Sequence, residues 1–143
     1  MKDLADYVHS KGLKFGMYED FGEYTCAGYP GIIDNLELDA KTFVEWEIDY
    51  IKIDGCNARI SDYKQGYTDF GRYLNESGRP IVYSCSWPYY IEHKGIHADY
   101  KYLGEICNLW RNYEDIDDVY ASMADIVDWY KKHQDRFAKY AGP

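Results

Sequence analysis

The sequence predicts an α/β fold, and within that class a (β/α)8 TIM barrel to which this chain contributes about four central strands and their helices. Two observations carry this reading. Apolar runs of strand length alternate with segments of helical periodicity, which calls for a parallel sheet joined by right-handed crossovers. Each strand also ends in polar residues: Tyr18 and Asp20, Lys52 and Asp54, Ser86 and Trp87, Arg111 and Asp115. Barrel enzymes build their sites from the C-terminal ends of several strands. An open doubly wound sheet loads one switch point and usually brings a glycine-rich phosphate loop, which the sequence lacks.

Residues 2–11 read as a helix with Leu4 and Val8 on one face and Gly12 as its left-handed cap. A strand over 13–18 delivers Tyr18, Glu19 and Asp20 and runs into a glycine-rich loop, 21–31, that contains Cys26. Asp39 is expected to cap a second helix carrying Phe43, Val44 and Trp46. The next strand is Tyr50-Ile-Lys-Ile-Asp-Gly-Cys56, in which alternation puts Lys52 and Asp54 on one face and turns Ile51 and Ile53 toward the helices. A strand buried on both faces is ordinarily apolar throughout. The Lys–Asp couple is therefore either a structural ion pair or a catalytic carboxylate kept ionised by its neighbour.

Tyr67, Phe70, Tyr73 and Leu74 lie at helical spacing before Gly78, and 80–85 read as the third strand. A loop, Ser86 to Tyr90, leads away from it. A weaker helix over 99–105 precedes a fourth strand over 106–111. The last helix starts near Asp117 and Asp118, read as caps, and shows Val119, Met123, Ile126, Val127 and Tyr130 on one face. It ends in Lys131, Lys132 and His133, in keeping with the helix dipole. The chain opens inside a helix and stops at Ala141-Gly-Pro143 where another strand is due, so a larger barrel is expected around it.

A length of 143 residues suits one domain with a true core. A net charge of -9 without a basic run argues against nucleic acid, and no apolar run reaches membrane-span length. Seventeen tyrosines suggest a polar-aromatic cleft. Cys26, Cys56, Cys85 and Cys107 are 30, 29 and 22 positions apart, without the close pairs of a zinc site. They are two disulfides, with three pairings open, or four buried thiols. No metal or cofactor is expected.

Two carboxylates on neighbouring loops of a barrel mouth, with an arginine and many aromatics nearby, describe a glycosidase better than other hydrolases. His9, His93, His97 and His133 have no strand-end partners and read as surface or packing residues. Glu114, Asp115, Asp117 and Asp118 crowd one turn, and spacing does not choose among them. Asn75-Glu-Ser77 is an N-glycosylation sequon near a helix end.

Five segments then carry a resemblance: Tyr50–Cys56, Tyr83-Ser-Cys-Ser-Trp-Pro88, Cys107-Asn-Leu-Trp-Arg-Asn-Tyr-Glu-Asp-Ile-Asp-Asp118, Leu4–Lys14 and Thr25-Cys-Ala-Gly28. They resemble the lysosomal α-galactosidase and α-N-acetylgalactosaminidase family of retaining glycosidases. The resemblance implies Asp54 as nucleophile, Asp115 as acid/base on a loop without an adjacent base, and Tyr18, Lys52, Tyr90 and Arg111 lining the sugar site. It implies disulfides Cys26–Cys56 and Cys85–Cys107, and a glycan on Asn75. In the complete enzyme the two carboxyl groups are expected about 5 Å apart, as retention requires.

In this family the position of Ser86 holds Glu in galactosidases and Ser in N-acetylgalactosaminidases; that of Tyr89 holds Leu or Ala. Ser86 leans the reading to terminal α-N-acetylgalactosamine on a glycolipid, glycoprotein or oligosaccharide, while Tyr89 fits neither pattern and crowds the acetamide unless it swings aside. The resemblance also implies a lysosomal or secreted enzyme, a homodimer at full length, of which residues 1–143 are roughly strands 3 to 6. The remaining strands and a C-terminal β-domain lie outside, so the isolated segment is expected to be inactive. Two rivals stand beside this reading. One is a catalytically silent sugar-binding homologue, the other an α-galactosidase acting on raffinose-type sugars.

Overall fold

The computed structural model describes residues 1–140, and the strand due at Ala141–Pro143 lies outside the described residues. In chain order the elements are α1 (Lys2–Ser10), β1 (Gly16–Asp20), α2 (Leu36–Glu45), β2 (Tyr50–Asp54), α3 (Ile60–Glu76), β3 (Val82–Cys85), α4 (Trp87–Glu92), α5 (Tyr100–Ile106), β4 (Leu109–Trp110) and α6 (Tyr120–His133). All strand pairs are parallel and the spatial order is β1-β2-β3-β4. Strands that follow one another in space as in sequence form the arc of a barrel. A doubly wound sheet would reverse direction at its switch point.

Pleat alternation gives the sheet two unlike faces. Ile51, Ile53, Tyr83 and Cys85 are buried against the helices, where Tyr83 packs on Phe70 at 5.7 Å and Phe43 meets Phe70 at 6.4 Å. Tyrosines share this layer with isoleucine and phenylalanine, the ring filling the gap while the hydroxyl satisfies a backbone carbonyl. Tyr67 donates to the carbonyls of Ile53 (3.1 Å) and Asp54 (2.6 Å), which ties α3 to the end of β2. On the opposite face Tyr18, Val82 and Leu109 are each 43–44% exposed, while Asp20, Asp54 and Ser84 are buried.

Two disulfides fasten the arc, Cys26–Cys56 across the loops after β1 and β2, and Cys85–Cys107 from β3 to the end of α5. Loops of this length make each bond worth about 3–4 kcal/mol in the chain-entropy account. Gly78 closes α3 with φ +73°, the left-handed geometry its place in the sequence predicts.

Several elements depart from the sequence reading. The segment after Ser86 is not a loop but the short helix α4, opened by Pro88 in its first turn. Asn35, not Asp39, stands at the N-cap of α2, and Asp39 lies in its first turn. Val119 occupies the N-cap of α6, so Asp117 and Asp118 are not caps; the Asp117 amide donates instead to Ser122 Oγ at 2.9 Å. The fourth strand is two residues long because α5 runs on through Ile106, and Asn108 Oδ1 takes the Tyr83 amide at 2.8 Å in place of a strand carbonyl. The apolar faces predicted for α1 and α6 stay largely open: Leu4, Val119, Met123 and Val127 are exposed.

Candidate active site

The inward face places β1 and β2 in register so that Tyr18 pairs with Lys52 and Asp20 with Asp54. Asp54, only 5% exposed, receives four stabilising contacts. Tyr90 donates to Oδ1 at 2.8 Å, Tyr18 to Oδ2 at 2.9 Å, the Gly55 amide to Oδ1 at 3.0 Å, and Lys52 Nζ stands 3.7 Å from Oδ2. Burial alone would push this carboxyl up. The Tyr90 and Tyr18 hydroxyls, then the Lys52 charge and the Gly55 amide, outweigh it and hold Asp54 below the usual carboxylate range. Lys52 is the neighbour the sequence points to, but the two phenols contribute more. The same contacts, on top of burial, push both phenols well above their ordinary value, so they stay protonated donors.

Local structure explains why the phenols reach. Helix α4 brings Tyr90 back over the end of β2, and a Cβ at Gly55 would lie 2.7 Å from its ring, so only glycine admits this approach. The Cys26–Cys56 disulfide forms a wall beside the carboxylate, with the Tyr18 hydroxyl 3.4 Å from Cys26 Sγ and the Tyr90 hydroxyl 3.3 Å from Cys56 Sγ. Asp20, Cys26 and Cys56 lie within reach of a single cation, but both sulfurs are spent in the disulfide and the set does not fit a metal.

A second cluster forms after β4. Arg111 pairs with Asp115 at 3.0 Å and donates from Nε to the Tyr113 carbonyl at 2.7 Å. Its guanidinium lies 3.9 Å over the Tyr89 ring, and the Tyr89 hydroxyl donates to Glu114 at 2.8 Å. Asp115 therefore does have a basic neighbour, contrary to expectation: the four-residue spacing across the turn lets the guanidinium fold back on it. Its side chain is nonetheless 78% exposed and free to turn away. The clusters meet where the Tyr89 and Tyr90 rings stand edge to face, 5.1 Å apart.

Ser86 is not open to the cleft. It is fully buried at the start of α4, and its hydroxyl has no hydrogen-bond partner. Tyr89 has not swung aside freely; Arg111 and Glu114 pin it. Asn75 is exposed on the last turn of α3. Two residues went without a role in the sequence reading. Glu114 anchors Tyr89, and Asp20, wholly buried, abuts Asp54; its period-two spacing from Tyr18 was the available signal.

This geometry can be set beside known proteins. Residues 1–143 match the family model described as alpha galactosidase A. The chain belongs to this family. Among its relatives, the α-N-acetylgalactosaminidase of Gallus gallus is 52% identical over 100% of this chain and 36% of its own length. The Homo sapiens α-N-acetylgalactosaminidase is 49% identical over 98% of the chain and 34% of its own, and Homo sapiens α-galactosidase A 44% over 100% and 33%. The chain thus spans about a third of the length of these curated relatives. Among solved structures, a Bacteroides fragilis α-galactosidase candidate superposes with a TM-score of 0.82 at 31% identity, over 99% of this chain and 31% of that one. The α-galactosidase I of Mortierella vinacea gives 0.68 at 31%, over 82% and 29%. The four parallel strands are accordingly an arc of the family's (β/α)8 barrel. Among the described residues no helix is long and apolar enough to cross a membrane.

Proposed function

We propose that the protein is a retaining glycosidase in which Asp54 is the nucleophile and Asp115 the acid/base, with residues 1–143 forming roughly strands 3 to 6 of its catalytic barrel. One observation carries the proposal. A nearly buried carboxylate at a strand's C-terminal end is held ionised by two phenols and a lysine, with no cation in direct bidentate contact to blunt it. Asp54 attacks the anomeric carbon while Asp115 protonates the departing oxygen, giving a covalent sugar ester. Asp115 then takes a proton from water, which breaks the ester with overall retention. The acid step requires Asp115 to exchange its Arg111 partner for a proton, which its exposure allows.

Tyr18, Lys52, Tyr90 and Arg111 line the bound sugar in this reading. Ser86, with the two N-acetylgalactosaminidase relatives, favours terminal α-N-acetylgalactosamine on glycolipid, glycoprotein or oligosaccharide over α-galactose. A specific observation supports a second reading: Ser86 is closed off and Tyr89 is pinned as a wall, which leaves less room for an acetamide and favours galactosides. A lysosomal or secreted, Asn75-glycosylated homodimer completes the proposal. The test is turnover of nitrophenyl α-N-acetylgalactosaminide and α-galactoside by the full-length protein. Faster turnover of the first is expected; a strong galactoside preference defeats the Ser86 argument, and turnover of neither leaves a silent homologue.

A further inference from the structure

We infer that Asp20 is a positioning residue that works as a neutral, protonated acid, tying together the disulfide-joined loops behind Asp54 so that Asp54 alone carries the negative charge there. The inference rests on the glycosidase reading for its consequence, but its evidence is separate. Asp20 is 0% exposed and stands directly opposite Asp54 in the β1–β2 register. The Gly22 amide donates to its Oδ1 at 3.2 Å, and its carboxyl lies within 4.8 Å of both sulfurs of the Cys26–Cys56 bridge, so one side chain backs both joined loops. Its Oδ2 lies 3.2 Å from Cys26 Sγ. A disulfide sulfur has no proton to give, so this contact is a hydrogen bond only when the carboxyl supplies the proton.

The surroundings offer no compensating charge. Facing Asp20 are Tyr18 on its own strand, Lys52 and Asp54 on β2, Tyr63 and Tyr67 on α3 and Tyr90 on α4. The one cation among them, Lys52, is paired with Asp54, and no ion pair among the described residues includes Asp20. Two adjacent buried carboxylates cannot both ionise cheaply, and Asp54 is the one supplied with two phenol donors and a lysine. Burial, reinforced by the Asp54 charge and only partly offset by the backbone amides of Gly22, Cys56 and Cys26, pushes Asp20 up to about 7.

A carboxyl whose folded value lies above its ordinary one stabilises the fold where it is protonated, fully at pH below about 4, and that contribution is lost as pH rises through about 7. As Asp20 ionises, the contact to Cys26 loses its proton and a second charge appears beside the nucleophile, so the wall around Asp54 loosens.

The experiment compares the full-length protein with its Asp20→Asn variant, whose amide imitates the protonated acid. Melting temperature and kcat/KM on a nitrophenyl glycoside are followed between about pH 4 and pH 8. Activity at the acid end within about threefold of the parent is expected, with the fall in melting temperature toward neutrality reduced and the alkaline limb moved up. An unchanged pH dependence, or a folded variant that has lost about 100-fold or more at acid pH, would overturn the inference. Should the variant not fold, infrared difference spectra of the parent decide: a buried carboxylic-acid band fading near neutrality is expected, and no such band is the contrary result. The melting and infrared readouts stand even if neither glycoside is turned over.

Discussion

Two aspartates, Asp49 and Asp54, flank and close the same five-residue strand and meet opposite surroundings. Asp49, just before β2, is met by the Phe15 amide at 2.8 Å, His9 Nε2 at 2.7 Å, Lys14 at 3.3 Å and Arg79 at 3.1 Å. Burial would raise it, but the Phe15 amide and then His9 and Lys14 bring it down to about 2. Asp54 is surrounded by phenols and one lysine at longer range, enough to keep the charge but not to saturate it. The carboxylate at the N-terminal end of the strand is neutralised by His9, Lys14 and Arg79, whereas the one at the C-terminal end, where barrel enzymes place their sites, keeps its charge against a single, more distant lysine.

The sharpest way to break this contrast is to remove each group in the full-length protein. Asp54→Asn should lower hydrolysis by about 10⁴-fold or more with the melting temperature unchanged or raised, because a nearly buried charge is gone while the fold keeps its packing. A variant with appreciable turnover would undo the assignment. Asp49→Ala should do the reverse, costing about 2 kcal/mol of stability as His9, Lys14 and Arg79 lose their acceptor, with kcat retained. In the parent protein the Asp49 contribution is present above about pH 4 and is lost as pH falls toward about 2; acid unfolding of Asp49→Ala should lack that component.

Smaller changes sharpen the account of Asp54. Tyr90→Phe removes one donor to the carboxylate and raises its pKa, so the acid limb of kcat/KM should move to higher pH and activity on that limb should drop about tenfold. Tyr18→Phe should shift the same limb less, since Tyr18 is 44% exposed. Lys52→Met should shift it least. A larger displacement from Lys52 than from Tyr90 would restore the ion pair to first place.

How much of this was legible beforehand depended on the range of the interactions. The shared face of Lys52 and Asp54, the close of α3 at Gly78 and the succession of four strands are local consequences of period and turn chemistry, and all were readable. Helix α4 was not, because six residues opened by a proline are too few to show periodicity. The shortness of β4 turns on one Asn108 side chain standing in for backbone, and no pattern announces that. Tyr90 reaches Asp54 across 36 positions, and Arg111 folds back on Asp115 only because the turn after β4 brings it there. Asp20 was visible as a strand-end acid, but its burial beneath the Cys26–Cys56 bridge required the assembled loops.

The nucleophile assignment is tested by trapping the full-length protein with a mechanism-based fluorosugar, digesting it and sequencing the labelled peptide. A sugar ester on Asp54, within the Tyr50–Cys56 segment, is expected, and a label on any other side chain would overturn the assignment.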